Sequence, residues 1–366
     1  MKVGVLTSSR ADYGIYLPLL KALKSDKDFE LVIIAFGTHL SEKHGNTIDQ
    51  IYNDGFYVDI KVEPPFYGDS PEGIAKAMAK TTMQFAEVWA KDSSYDILFA
   101  LGDRFEMFSA VSASVPFNIP IAHLHGGETT LGAIDESFRH SITSMSKIHF
   151  ASTENHQKRI EQIIGTSTDV YNVGALSIDN INEITLLTPL EFKNEFGVEL
   201  NNPVLLTFHP ETVDYQRNEE LIIEVLSSID DIEQQIIVTM PNSDTKGDVI
   251  RKRINDFSKS RPNVFLFESL GTKGYFSCLK YCSFVMGNSS SGIIEAASFG
   301  KYVLNLGNRQ LGRDVGLNVL HCRVDRDKIR EEIGRINKLP ALVDGNIYGD
   351  GKTASRIIAV LKNKIK

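Results

Sequence analysis

A chain of 366 residues leaves room for two domains at ~150 residues each, and each half is large enough to bury a core of its own. Hydrophobic residues make up 42% and charged residues 23%, ordinary for a globular protein, which excludes disordered, collagen-like and coiled-coil chains. With 39 Lys and Arg against 47 Asp and Glu the formal net charge is −8, so neither nucleic acid nor an anionic membrane is an expected partner.

Short apolar runs alternate with amphipathic stretches from the N-terminus onward. The runs predict strands at 2–6, 30–36, 56–60, 96–100, 119–122, 147–151 and 169–172. Apolar residues at helical spacing predict helices over 17–23, 75–89, 106–113 and 136–145. Val173-Gly-Ala-Leu-Ser-Ile-Asp179 then reads as a hinge, and a short helical region at 188–196 leads into a second series. There the strands are 204–208, 235–240, 264–267, 284–286 and 302–306, separated by helices over 221–229, 248–257, 275–279 and 293–298.

Such βαβ series give an α/β fold class: two Rossmann-like, doubly wound domains with parallel sheets covered on both faces. The expected division is 1–173 and 174–352. The amphipathic helix 353–366, with Ile357, Ile358, Val360 and Leu361 to bury, is expected to return to the first domain. Strand carboxyl ends facing one another would put a ligand in the cleft between the domains.

No apolar run approaches the ~20 residues that span a bilayer. Met1-Lys2-Val3 enters a strand without a signal-peptide pattern, so a cytoplasmic location is expected. Cys278, Cys282 and Cys322 are too few, and odd in number, for a disulfide framework and read as buried free thiols.

Chemistry-bearing residues gather where strands end. Thr7-Ser-Ser-Arg-Ala-Asp-Tyr-Gly14 follows the first strand and opens a helix, offering backbone N–H groups and the Arg10 fork to an anion. The alternative is that Ser8, Ser9 and Asp12 only cap the helix. It is not a G-x-G-x-x-G dinucleotide turn. Asp103 and Arg104 follow the strand 96–100, as ligand groups or as a structural ion pair.

His123-Leu-His-Gly-Gly-Glu128, with Asp135-Glu136 and Arg139-His140, is denser than a surface loop requires. Asp135 and Arg139 lie one helical turn apart, and Gly126 and Gly127 would admit a ligand close to the backbone. A metal at His123, His125 and Glu128 is the weaker reading, since the spacing is not that of a helical zinc motif. In the second half, Thr207-Phe-His-Pro210, Pro241-Asn-Ser-Asp244 and Gly287-Asn-Ser-Ser-Ser-Gly292 end successive strands. Ser289, Ser290 and Ser291 suit phosphate oxygens, and Glu295 suits a ribose diol. Arg309 and Arg313 add positive charge to the same rim. A nucleoside diphosphate in the second half and proton-handling groups in the first suit cleavage at an anomeric carbon.

In this order the motifs resemble the UDP-N-acetylglucosamine 2-epimerase family. The hydrolysing branch fits best: bacterial sialic-acid pathway enzymes and the epimerase half of the bifunctional animal enzyme. The resemblance rests on Ser9-Arg-Ala-Asp-Tyr13, Gly102-Asp-Arg104, Gly126-Gly-Glu128 with Gly132-Ala-Ile-Asp135 and Arg139-His140, Phe208-His-Pro210, and the serine loop with Arg309-Gln-Leu-Gly-Arg313. It covers essentially the whole chain.

The resemblance implies a GT-B-like fold with the active site between the domains, no cofactor or obligatory metal, and a homodimer or homotetramer. It implies conversion of UDP-N-acetylglucosamine and water to N-acetylmannosamine and UDP, a first step toward sialic acid. The route would be anti elimination of UDP to a glycal, followed by hydration. UDP contacts are implied at Arg10, His209, Asn242, Ser289, Ser290, Glu295 and Arg309, with Arg104, Ser291 and Arg313 beside them. Asp103, Glu128 and Asp135 are the implied acid/base carboxylates, with Arg139 among them.

Several relatives carry glutamate where this chain has His125, so His125 is expected to share the C2 proton's removal with Asp103 or Glu128. Two related sugars stay open: UDP-linked 2,4-diacetamido-2,4,6-trideoxyglucose and GDP-linked N-acetylglucosamine. A non-hydrolysing epimerase, a GT-B glycosyltransferase and a non-catalytic UDP-sugar sensor are the competing classes.

Overall fold

The computed structural model describes residues 1–41, 47–68, 70–131, 134–211, 213–241, 247–342 and 345–365. The chain forms two compact units. The first holds Met1–Glu128, Asp135–Asn182 and the chain from Tyr348 onward; the second holds Thr129–Ile134 and Glu183–Ile347.

The first unit is a parallel sheet of strands β1 (Lys2–Thr7), β2 (Glu30–Ala35), β3 (Ile60–Lys61), β4 (Ile97–Leu101), β5 (Ile121–Leu124), β6 (Ile148–Ala151) and β7 (Val170–Asn172). Their order is β3-β2-β1-β4-β5-β6-β7. The helices between them are α1 (Arg10–Ser25), α2 (Ile48–Asn53), α3 (Pro71–Lys91), α4 (Phe105–Ser114), α5 (Asp135–Met145) and α6 (Glu154–Ile164). The strands are continuous apolar runs because helices cover the sheet; Val3, Val5 and Phe99 bury against α1, while Leu6, Leu98 and Ala100 bury in a second cluster with Phe85, Trp89 and Met107. Strand order reverses between β1 and β4, the switch point at which doubly wound sheets open a crevice at their carboxyl ends.

The second unit repeats the plan. α7 (Leu176–Glu183) ends the first unit's long stretch, and after α8 (Pro189–Phe196) come β8 (Val204–Thr207), α9 (Asn218–Ser228), β9 (Ile236–Thr239), α10 (Gly247–Ser258), β10 (Val264–Phe267), α11 (Gly271–Tyr281), β11 (Phe284–Gly287), α12 (Ser290–Ile294), β12 (Val303–Leu306), β13 (Val319–Cys322) and α13 (Arg326–Ile336). The sheet is parallel in the order β10-β9-β8-β11-β12-β13, with its switch point between β8 and β11.

Some expectations are corrected. The strand expected at 56–60 shortens to β3, because the Asp59 carboxylate accepts the Ile33 N–H at 2.8 Å in place of a ladder carbonyl. β5 runs on to Leu124, so His123 is a strand residue rather than part of the loop. The expected hinge at 173–179 is buried structure. Val173, Ala175 and Leu176 are almost fully enclosed, and Asn180 Nδ2 donates to the Gly14 carbonyl at 2.7 Å.

The chain passes between units at Asn182–Glu183 and returns at Ile347–Tyr348, rather than at 173/174 and 352/353. Two contacts account for the shift. The Tyr348 carbonyl accepts the Ala175 N–H at 2.7 Å, and the Asp179 carboxylate accepts the N–H groups of Thr353 and Ala354 at 2.9 and 2.7 Å. Asp179 thereby caps helix α14 (Thr353–Ile365), whose Ala354, Ile357 and Leu361 join Leu19, Leu20 and Leu23 in the first core. Burying Ile357 and Leu361 stabilises that docking by ~1.5–3 kcal/mol each.

Cys278, Cys282 and Cys322 are buried free thiols, and burial pushes Cys282 up to about 12 and Cys322 up to about 11. No helix among the described residues is long and apolar enough to cross a membrane.

Candidate active site

The turn after β1 resolves in favour of capping for three of its residues. The Asp12 carboxylate accepts the N–H groups of Ser8 and Ser9 at 2.7 and 2.6 Å and the Ser8 hydroxyl at 2.9 Å. Ser9 Oγ pairs with the same carboxylate and closes a capping box on α1. That leaves Arg10, the first helical residue, as the half-buried cation at the carboxyl end of β1.

Asp103 and Arg104 divide at the end of β4. Arg104 forks onto Glu106 through Nε and Nη2, at 3.2 and 3.1 Å, an ion pair with a different partner from the Asp103 considered for it. Asp103, after Gly102 in a left-handed conformation (φ +75°), turns instead to the Arg139 guanidinium.

Arg139, on α5, gathers the rest. Its side chain is 2% exposed; Nη1 donates to the His125 carbonyl at 3.0 Å and to Glu128 Oε2 at 3.2 Å, while Nη2 pairs with Asp103. Glu128 Oε1 in turn meets His125 Nδ1 at 2.7 Å. Residues from the ends of β4 and β5 are thus drawn onto one guanidinium fork. Asp135 is the first residue of α5, one turn before Arg139. Residues 132–133 of the adjoining motif lie outside the described residues.

The paired glycines serve the protein before any ligand. A Cβ on Gly127 (φ +72°) would lie 2.3 Å from the His156 carbonyl, and one on Gly126 would lie 3.0 Å from His123 Nδ1 and Thr143 Oγ1. Their missing side chains let the loop close onto α6 and α5. That approach brings Glu128 to Ser152, whose hydroxyl donates to Oε1 at 3.0 Å and also meets His156 Nδ1 at 2.9 Å.

Ser152 and His156 were not singled out from sequence. The usable signal was position alone: Ser152 is the first residue after β6, at the same sheet edge as Asp103 and His125.

His123 turns away from the cluster. Its Nε2 meets the Gly102 carbonyl at 2.8 Å and its Nδ1 meets Thr143 Oγ1 at 3.1 Å. Both nitrogens are used, which disposes of the His123–His125–Glu128 metal reading. Burial pushes its pKa down to about 3, so it is a neutral support for the loop carrying Asp103.

In the second unit the ends of β8, β11 and β12 are tied together through Asn288. Its Oδ1 accepts the His209 N–H at 2.6 Å and its Nδ2 donates to the His209 carbonyl at 2.9 Å. Gln310 Nε2 donates to the Asn288 carbonyl at 2.8 Å, and Arg313 Nε donates to Gln310 Oε1 at 2.7 Å. Arg309 Nε reaches the Pro210 carbonyl at 3.3 Å. Gly287 permits this closeness, because a Cβ there would sit 1.8 Å from the Thr207 carbonyl oxygen. Ser289 is the N-cap of α12, Ser290 and Ser291 are its first residues, and Glu295 is buried at its end. Asn242 lies outside the described residues.

The UDP-N-acetylglucosamine 2-epimerase family model matches residues 21–362. The chain is 34% identical to the UDP-N,N'-diacetylbacillosamine 2-epimerase (hydrolyzing) of Legionella pneumophila, covering 99% of this chain and 95% of that one. It is 35% identical to the polysialic acid biosynthesis protein P7 of Escherichia coli, over 100% and 94% of the two chains. Among solved structures, the Neisseria meningitidis UDP-GlcNAc 2-epimerase bound to UDP-GlcNAc superposes with a TM-score of 0.84 at 18% identity, over 99% of this chain and 100% of that one. That likeness concerns the fold, which is GT-B-like, with two Rossmann-like domains.

Proposed function

The chain belongs to the UDP-N-acetylglucosamine 2-epimerase family, and from that premise we propose that it is a hydrolysing 2-epimerase releasing UDP and a free 2-epimerised 2-acetamido sugar. The observation that carries this reading is the set of Asp103, His125, Glu128 and Arg139 on one network at the carboxyl ends of β4 and β5.

The chemistry requires such a set. A C2–H beside an N-acetyl group is a poor acid, so its removal needs a base held at C2 while UDP leaves C1 with the electron pair of the C1–O bond. The glycal formed then takes hydroxide from water at C1 and a proton at C2 on the opposite face. Each positioned proton-transfer group contributes ~10²–10⁴-fold in rate. Asp103, Glu128, Asp135 and His125 are the proposed proton-handling groups, with Arg139 holding them.

Arg10, Arg104, His209, Asn242, Ser289, Ser290, Ser291, Glu295, Arg309 and Arg313 are the proposed nucleotide contacts. In the second unit, the Asn288 ties that join His209, the serine loop and Arg313 support this grouping. Preorganised guanidinium and backbone donors stabilise a departing diphosphate without reorganising at the moment of reaction.

UDP-N-acetylglucosamine is the proposed substrate, giving N-acetylmannosamine. The second reading is the UDP-linked 2,4-diacetamido-2,4,6-trideoxy sugar, favoured by the name of the Legionella pneumophila relative. Parallel incubations with these two sugars and GDP-linked N-acetylglucosamine, followed by mass spectrometry and proton NMR of the products, test both. Prompt stoichiometric UDP and a free epimerised sugar are expected without any acceptor. Return of a UDP-linked epimer, or a requirement for an acceptor, would replace the reading with a non-hydrolysing epimerase or a transferase.

A further inference from the structure

Glu128 is crowded with donors. Its Oε1 faces His125 Nδ1 at 2.7 Å and Ser152 Oγ at 3.0 Å, and its Oε2 faces Arg139 Nη1 at 3.2 Å. Its side chain is only 2% exposed.

An ionised carboxylate accepts and never donates, so each Oε1 contact fixes a proton. The Ser152 hydroxyl hydrogen points at Glu128, and His125 carries its ring hydrogen on Nδ1. Ser152 Oγ, its own hydrogen committed, accepts from His156 Nδ1 at 2.9 Å. The donors therefore run from His156 to Ser152 to Glu128, with His125 donating to the same oxygen from the other side.

That order has a chemical consequence at the far end. With Nδ1 protonated, His125 presents a lone pair on Nε2. This atom is enclosed and has no hydrogen-bond partner among the described residues. The residue is 6% exposed, and its backbone sits in the left-handed region at φ +61°, which histidine enters more readily than most residues with a side chain. The contact with Glu128 fixes the ring and leaves the other nitrogen with an uncommitted lone pair.

We propose that Ser152 and His156 are positioning residues of a relay in which Glu128 acts through His125, leaving His125 Nε2 as the base that takes the C2 proton. The inference rests on the hydrolysing-epimerase reading above. In the elimination the C2–H bond breaks and its proton moves to Nε2. The C–H electron pair becomes the second bond between C1 and C2, and the C1–O bond breaks with its pair departing on UDP. Glu128 stabilises the imidazolium so formed, the part an aspartate plays beside the histidine of a serine hydrolase. Hydration adds the water hydroxyl to C1. The C2 proton then comes from a different acid, Asp103 or Asp135, which the second water proton restores, while His125 returns its proton to solvent.

Two experiments test the relay. The first needs no turnover: ¹⁵N NMR of histidine-labelled protein, with each signal assigned by its loss in His125→Asn and His156→Asn. Both histidines are expected as Nδ1–H tautomers in the wild type, and Ser152→Ala is expected to release His156 from that tautomer. An Nε2–H tautomer at His125 would overturn the proposal even if the enzyme proves to be a hydrolysing epimerase.

The second uses whichever nucleotide sugar the wild type turns over. If none is turned over, the functional reading fails and the tautomers still decide the relay. Ser152→Ala is expected to lower kcat about 10-fold or more with KM little changed, and Ser152→Thr, which keeps the hydroxyl, to restore it. Added to Glu128→Gln, Ser152→Ala should cost nothing further, because both cut one chain. His156→Asn reaches Ser152 from its other partner and repeats the test should Ser152→Ala fold poorly. A full further loss in the Glu128→Gln background, or an unchanged kcat in Ser152→Ala and His156→Asn, would make the two residues merely structural.

Discussion

Arg139 and Glu128 face each other at 3.2 Å with both side chains 2% exposed, and Asp103 takes the other arm of the same guanidinium. One buried cation thus fixes the loops that follow β4 and β5. Removing a single partner from a buried ion pair leaves an uncompensated charge and costs ~3–5 kcal/mol. Arg139→Ala is expected to lose about that much unfolding free energy, and Arg139→Lys to recover only part, since an ammonium cannot fork onto two carboxylates. Urea unfolding of the two variants checks this; a midpoint unchanged in Arg139→Ala would mean that Asp103 and Glu128 are solvated without it.

The sheets were legible because a strand buried on both faces must be a continuous apolar run, as in β1, β4 and β8. β13 escaped notice: its His321 is exposed, Val319 and Leu320 are only half-buried and Cys322 alone is buried, so no continuous apolar run marks it. The stretch from Val173 to Asp179 looked like a hinge because Gly174 and Ser177 carry loop signals. What makes it core is the meeting of Asp179 with Ala354, 175 residues away, which no local pattern encodes.

The cluster proposed as the site was legible as residue types at strand ends. Asp103, His125 and Glu128 were found that way, and Ser8, Ser9 and Asp12 were left between two roles that only hydrogen-bond geometry separates. Ser152 was missed because its partner Glu128 is 24 residues earlier and reaches it only through the closeness that Gly127 allows.

Acid should weaken the fold through two histidines. Burial pushes His123 down to about 3 and His149 down to about 4. In the unfolded chain each binds a proton near ~6.5. A histidine whose folded value lies below its unfolded one contributes its stability in full above ~6.5 and loses it as pH falls toward the folded value, at ~1.4 kcal/mol per pH unit. Unfolding free energy is therefore expected to fall between pH 6.5 and 4.5, and His123→Asn to have a shallower slope. Urea midpoints at several pH values check the slope; a flat profile in the wild type would contradict buried neutral imidazoles.

Ser290→Ala and Arg10→Ala are expected to weaken UDP binding while the fold survives. A hydrogen bond to a charged group is worth ~1.5–3 kcal/mol, which corresponds to about 10- to 100-fold in Kd. Ser290 lies one residue after the N-cap of α12, and Arg10 opens α1, so neither substitution removes a side-chain cap. Calorimetry with UDP gives the affinities directly. Unchanged values in both variants would move the diphosphate elsewhere.

Proton exchange at C2 distinguishes elimination from every route that leaves that carbon alone. If the C2 hydrogen departs to a protein base and a new one arrives from an acid in exchange with solvent, turnover in heavy water must place deuterium at C2 of the free sugar. Direct hydrolysis at C1 would place none there, and it would also leave the configuration at C2 unchanged. Asp103→Asn and Glu128→Gln remove a carboxylate without removing volume, so each is expected to keep UDP affinity and lose about 10²-fold or more in kcat. Asp103 is 24% exposed and Glu128 2%, so the first carboxylate is the better placed to meet a sugar and the second to act through a neighbour. Proton NMR of the product decides the chemistry: hydrogen retained at C2 in heavy water would falsify the elimination, and near-normal turnover in either carboxamide variant would remove that residue from it.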